Sequence, residues 1–367
     1  MKILKVDPGT LGAVALVTSL AVAAAYCQPG PGDSSDVQRE AVFVYDAAEF
    51  TGAKPWTSED FASDGDDFQF AIVGDRTGGA NPLGTFERTM EQLNWLRPEF
   101  VMSVGDYVEG YTSKPEVMKT QWDEFDSIVA ELQMPFFYVR GNHDINTPIT
   151  RPAWTERRGP SYYSFKYKDV LFIALDTESA EESVAPELEA DLATYNDLNI
   201  DDPEAAKVFA TEVDLMSRVM EIVAQKPPEI DFPQEQVEWF KNVLAQNEDV
   251  RWTLVFLHQP VWNNPSDSFK EMDAAIQDRD YTFFAGHTHY YDYDLLNGHE
   301  YITVASAGAT IVADGPGNVD MLTWVTMTYN GPEIAGIALK GIFDRRGLDP
   351  AMFGAYDRTP GSGGLGH

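Results

Sequence analysis

Three apolar runs, FQFAIVGD (68–75), EFVMSVGD (99–106) and MPFFYVRGNHD (134–144), each lead into Gly-Asp or Gly-Asn. Continuous apolar runs of this length fit strands buried on both faces. Between the first two lies TFERTMEQLNWLRP, with Phe86, Met90, Leu93 and Leu96 at helical spacing and Pro98 as a stop. QWDEFDSIVAELQ separates the next two and also reads as a helix. Strand, helix and strand in alternation predict an α/β fold around a parallel sheet, with functional residues at the carboxyl ends of its strands.

The pattern continues downstream. SYYSFKYKDVLFIALDT (161–177) reads as a hairpin turning at Lys168-Asp169, and residues 178–232 as an acidic helical insertion. FPQEQVEWFKNVLAQN (232–247) is an amphipathic helix, and RWTLVFLHQPVW (251–262) contains a strand followed by a histidine. YTFFAGHTHYY (281–291), EYITVASAGAT and LTWVTMTY suggest further strands. The predicted domain spans 67–345, with a flexible tail over 346–367 that gives His367 no role. His299, at the turn signal LNGHEY, is expected to face solvent.

With 44% hydrophobic and 12% aromatic residues the chain is globular. Its 59 acidic against 26 basic residues, net −33, argue against nucleic acid or an anionic membrane as a general partner. The same field repels a phosphorylated substrate unless local cations offset it. Residues 1–25 have the layout of a signal peptide: Lys2 and Lys5, an apolar run, then Ala23-Ala24-Ala25. This predicts export to the periplasm or the exterior. Residues 26–66 read as a leader, whose Pro/Gly-rich start carries Cys27, the sole cysteine. Cys27 resembles the lipid-modified cysteine of bacterial lipoproteins, although Tyr26 is bulkier than that signal favours.

At the predicted strand ends stand Asp75, Asp106, Asn142 with His143, His258, and His287 with His289. Four of the six histidines therefore fall there. Carboxylate, amide oxygen and imidazole together suit divalent Mn, Fe or Zn. Buried aspartates at neighbouring strand ends repel one another unless a cation lies between them.

The blocks GDRTGG, GDYVEG, GNHD, FLHQP and GHTH, in this order across roughly 68–310, resemble the calcineurin-like metallophosphoesterases. The resemblance implies a four-layered α/β/β/α sandwich and a centre of two divalent ions. It also implies hydrolysis of phosphorylated small molecules or phosphodiesters by a metal-activated hydroxide. Asp106 would bridge, Asp75 and His289 would hold one ion, and Asn142, His258 and His287 the other, with His143 as acid or transition-state stabiliser.

One block departs from the family pattern: Thr77 stands where the first motif has histidine. The first ion then loses a protein ligand or takes water, and a single-metal or non-catalytic binding protein on the same fold becomes the alternative. Glu109 could ligate the first ion or orient His143, and residue types favour orientation. Arg76 and Arg140 flank the motifs, either as phosphate clamps or as salt-bridge partners. Gly78 and Gly79 would let the loop pass close to the site. Trp262, Tyr290, Tyr291 and Tyr293 would line a pocket or simply pack.

Overall fold

The computed structural model describes residues 67–77, 84–179, 186–223, 229–310 and 317–342. The expected signal peptide, leader and tail, with Cys27, Gly78, Gly79 and His367, lie outside them. Two sheets form the centre. In the first, β1 (Phe68–Val73), β2 (Phe100–Ser103) and β3 (Phe136–Phe137) run parallel. Later in the chain, β10 (Met321–Thr328) pairs antiparallel with β1, and β11 (Gly331–Ala338) forms the edge beyond it. The second sheet has the order β4-β5-β6-β7-β9-β8. Its strands are β4 (Tyr163–Tyr167), β5 (Val170–Ala174), β6 (Trp252–Phe256), β7 (Tyr281–Ala285), β8 (Asp292–Leu296) and β9 (His299–Thr303). The neighbours β5, β6, β7 and β9 are parallel, while β4 and β8 close the two edges antiparallel.

Alternation along β1 assigns the layers. Phe68, Phe70 and Ile72 point between the sheets, where they meet Phe172, Phe256 and Phe284. Phe70 stacks on Phe100 at 5.2 Å and 8°. Truncating a buried phenylalanine of this kind costs about 3–5 kcal/mol. Ala71 and Val73 point outward to Phe86, Met90 and Leu93 of α1 (Thr85–Leu96) and to Trp122 and Phe125 of α2 (Pro115–Val129). On the far side, Leu171, Val255 and Phe283 meet Phe240 of α7 (Gln234–Ala245) and Met272 of α8 (Asp267–Ile276). The sequence of layers is thus α/β/β/α.

Local signals explain the boundaries. Helix α1 stops where Arg97 turns left-handed at φ 56°, just before Pro98. Helix α8 starts at Ser266, whose hydroxyl accepts from the Phe269 N–H at 3.1 Å. Residues 178–232 contain α4 (Pro186–Asp201), α5 (Pro203–Glu212) and α6 (Leu215–Val223), which share a small apolar cluster around Tyr195 and Leu215. α3 (Thr150–Arg158) precedes β4.

The first sheet is mixed rather than parallel. Its fourth and fifth strands arrive after the second sheet is complete and form a direct hairpin, with no crossover helix to impose parallel pairing. His299 also departs from expectation: it is half-buried and stacks on Tyr281 at 3.8 Å.

Candidate metal centre

The parallel strands of both sheets end at one edge of the sandwich, and each delivers polar residues just past its end. Asp75 follows β1, Asp106 follows β2, His258 follows β6, and His287 and His289 follow β7. Asp75, Asp106 and His258 are buried. Asp106, His287 and His289 adopt left-handed backbone at φ 61°, 72° and 62°. Such conformations cost on the order of 1–3 kcal/mol each and persist where the surroundings over-determine them.

Two groups of ligand atoms, each within 4.8 Å, result: Asp106, His258 and His287, and Asp75, Asp106 and His289. Asp106 belongs to both. Asn142 joins the first, its Oδ1 lying 2.9 Å from both His258 Nε2 and His287 Nδ1. Those two ring nitrogens are 3.1 Å apart. In the other group His289 Nε2 lies 3.3 Å from Asp75 Oδ2.

Neighbouring groups fix the rings. His258 Nδ1 donates to the Val104 carbonyl and His289 Nδ1 to that of Thr310, both at 2.7 Å, so Nε2 of each faces the centre. The His287 N–H donates to Asp75 Oδ2 at 2.7 Å, and the His143 N–H to Asp106 Oδ1 at 2.9 Å. Gly286 is required by close approach: a Cβ there would lie 2.3 Å from Asp75 Oδ1. The left-handed backbone of His287 and His289 bends the chain just past β7, so the two histidines do not share an extended segment.

The donor set fits divalent cations. Asp75 Oδ1 is buried without a hydrogen-bond partner among the described residues. Two imidazole nitrogens and an amide oxygen converge where at most a proton could otherwise reconcile their lone pairs. Electrostatics agree. Burial would raise the Asp106 carboxyl, but His258, His143 and His287 outweigh it and hold it well below the usual range. Burial opposes charge on His258 and His289 too, yet Asp106 lifts the first and Asp75 the second. Burial and the facing His258 push His287 down to about 3.

One residue that sequence reasoning quoted but gave no role, Asp144, ties the loops together. Its buried carboxylate accepts from the N–H groups of Asp106 at 3.0 Å and of Tyr107 and Gly141 at 2.9 Å. Burial and the nearby Asp106 push Asp144 up to about 7, against the pull of these donors. Asp144→Ala leaves three buried amides unsatisfied. It is expected to cost about 3 kcal/mol or more and to lower Tm by at least about 5 °C by differential scanning calorimetry.

The remaining expected site residues are placed as follows. His143 Nδ1 lies 2.9 Å from the main-chain carbonyl of Glu109, so the backbone at this position orients the ring. Glu109 also lines a cavity of about 80 Å³ with Arg76, Thr77, Gln121 and Glu124. Thr77 donates to the Asp106 carbonyl at 3.2 Å. Both arginines have protein partners, as the salt-bridge alternative expects. Arg76 donates to the Tyr107 carbonyl and pairs with Glu124, each at 2.8 Å, and lies over Phe86. Arg140 grips buried Asp176 as a fork, with Nε at 3.1 Å from Oδ1 and Nη2 on Oδ2. Removing one partner of a buried pair such as Arg140–Asp176 costs about 3–5 kcal/mol. Trp262 packs on Tyr301 and donates to Asp294, Tyr291 packs against the inter-sheet core, and Tyr293 is exposed on β8.

The calcineurin-like phosphoesterase profile matches residues 68–291, and the chain belongs to that family. It is therefore a metal-dependent hydrolase of phosphoester bonds. Among solved structures, a dimetal phosphatase from Danio rerio is similar, with 16% identity and a TM-score of 0.48 over 74% of this chain and 99% of that one. A purple acid phosphatase from yellow lupin seeds is 14% identical at a TM-score of 0.48, over 76% of this chain and 52% of that chain. No curated protein sequence matches the chain.

Proposed function

We propose that the chain is an exported phosphoesterase that uses two divalent cations, Mn, Fe or Zn, on phosphorylated small molecules, as mono- or diesters. The membership of Asp106 in both ligand groups carries this reading. Asp75, Asp106 and His289 would hold one ion, and Asp106, Asn142, His258 and His287 the other. Bound ions of this kind supply Lewis acidity, neutralising phosphoryl oxygens and lowering the pKa of an attacking water.

The protein's own groups do the rest. His143, held at Nδ1 by the Glu109 carbonyl, keeps Nε2 for the proton given to the leaving oxygen. The His143 N–H on Asp106 Oδ1 ties that acid to the bridging carboxylate. Export rests on the signal-like residues 1–25, with Cys27 as a candidate lipid anchor. The test combines purified protein, each metal in turn, p-nitrophenyl phosphate and its bis-ester, and metal content. Turnover with two ions per chain is the expected result, and absence of hydrolysis with every metal defeats the reading.

A single-metal centre is the second reading, favoured by Thr77, whose hydroxyl is spent on the Asp106 carbonyl. It leaves three donor residues at one position against four at the other. A ratio near one ion per active chain selects it.

The raised His258 and His289 give a pH prediction. Both hold protons further into the neutral range than ordinary histidine, and a cation must displace them. Affinity is therefore expected to fall as pH drops through neutrality, and binding to release protons. Calorimetry in buffers of different ionisation enthalpy measures the number.

A further inference from the structure

Tyr111 touches two functional residues at once, and the helical insertion holds it there. Its hydroxyl accepts from Asn142 Nδ2 at 3.5 Å, the amide whose Oδ1 faces His258 and His287. Its ring meets His143 edge-on, with centroids 5.0 Å apart at 86°. Its backbone is left-handed at φ 35°, a conformation a tyrosine keeps only under external constraint.

That constraint comes from both sides. Asn146 Oδ1 accepts from the Tyr111 N–H at 2.8 Å, and Asn196 on α4 donates to the Tyr111 carbonyl at 3.3 Å. The next residues are bound to α4 as well. Asp197 accepts from the Thr112 hydroxyl, from the Ser113 N–H at 3.1 Å and from the Ser113 hydroxyl at 2.6 Å. Lys114 reaches the Asp197 carbonyl at 3.1 Å and the Asp201 carboxylate at 2.6 Å. The loop after β2 is thus clamped between α4 and the segment carrying Asn142 and His143.

We propose that Tyr111 is a positioning residue that fixes the amide of Asn142 and the ring of His143, and that the insertion acts on the centre through it. This rests on the two-cation phosphoesterase reading. The hydroxyl takes one end of the Asn142 amide and leaves the other toward the cation position. The ring edge confines His143 to the orientation its Glu109 contact selects. The two parts of the side chain have separable effects.

The test uses the full chain with Tyr111→Phe, Tyr111→Ala and Asp197→Ala, each checked for folding by circular dichroism and Tm. Mn²⁺ is titrated calorimetrically, and kcat is measured on aryl phosphates of graded leaving-group pKa. Loss of an outer-sphere partner typically weakens a metal site by about 10–100-fold. Tyr111→Phe, which differs by one oxygen, is expected to weaken one Mn²⁺ step about 10-fold and to leave the other step and the leaving-group dependence unchanged. Tyr111→Ala is expected to weaken the same step and also to steepen the leaving-group dependence, through a misaligned His143. Asp197→Ala, which removes the α4 carboxylate that holds Thr112 and Ser113, is expected to give a weaker version of the Tyr111→Ala result.

Tyr111 variants that titrate and discriminate leaving groups as wild type does overturn the proposal. So does an equal loss at both Mn²⁺ steps accompanied by a lower Tm. Wild-type protein that binds Mn²⁺ but hydrolyses no ester refutes the phosphoesterase reading instead, and the titrations then decide the role of Tyr111 by themselves.

Discussion

Asp106→Asn is expected to strip cations from both positions and to lower turnover on p-nitrophenyl phosphate by well over 100-fold. Outer-sphere partners alone account for about 10–100-fold, and Asp106 is the single residue in both ligand groups. Asparagine preserves the shape and can still accept the His143 N–H at Oδ1, so the loop geometry survives. What disappears is the charge that three histidines face. His258, raised chiefly by that charge against its burial, would then lose its proton at lower pH, which an imidazole titration by NMR would register. Metal content measured beside turnover separates the outcomes. A variant that retained two ions would show that Asp106 does not bridge.

His143→Ala is expected to reduce turnover by about 10²–10⁴-fold while both ions stay bound. The side chain of His143 belongs to neither ligand group; it approaches Asp106 through its backbone N–H and Glu109 through Nδ1. If it protonates the leaving oxygen, the loss is smallest for p-nitrophenolate, which departs readily without a proton, and largest for an alkyl ester. Glu109→Gln serves as the control. Because the carbonyl of residue 109 makes the contact, that variant is expected to keep turnover within a few-fold of wild type, a range that a general acid's loss would far exceed. A fall as deep as that of His143→Ala would return the orienting role to the carboxylate.

The sequence disclosed most of the framework and the residues gathered at its edge, because both rest on local pattern. Apolar runs at β1, β2, β6 and β7, and helical spacing in α1, α2 and α7, register within a dozen residues. Strand ends bearing Asp, Asn and His are conspicuous because apolar strands rarely deliver such groups. The hairpin β4–β5 was also visible, with Lys168 and Asp169 both left-handed at its turn.

What escaped depends on distant partners or on the backbone. The ion-pair partners of Arg76 and Arg140 are Glu124 and Asp176, 48 and 36 residues away in the chain. No spacing rule ties those pairs. Glu109 meets His143 through its carbonyl, which every residue type possesses. Strands β8 and β11 are largely exposed or half-buried edge strands, so neither carries a strong apolar signal. α8 had usable marks, Ser266 followed by Phe269, Met272 and Ile276, but it is only 10 residues long.

The Asp144 carboxylate has a consequence for how the protein lives with scarce ions. It gathers amide hydrogens from two strand-end loops through hydrogen bonds made by the polypeptide itself. The pocket's shape is therefore inherited from the polypeptide, unlike small zinc modules that collapse when stripped. Chelated enzyme should persist as an empty but preassembled vessel, recharging as fast as ions arrive rather than waiting on refolding.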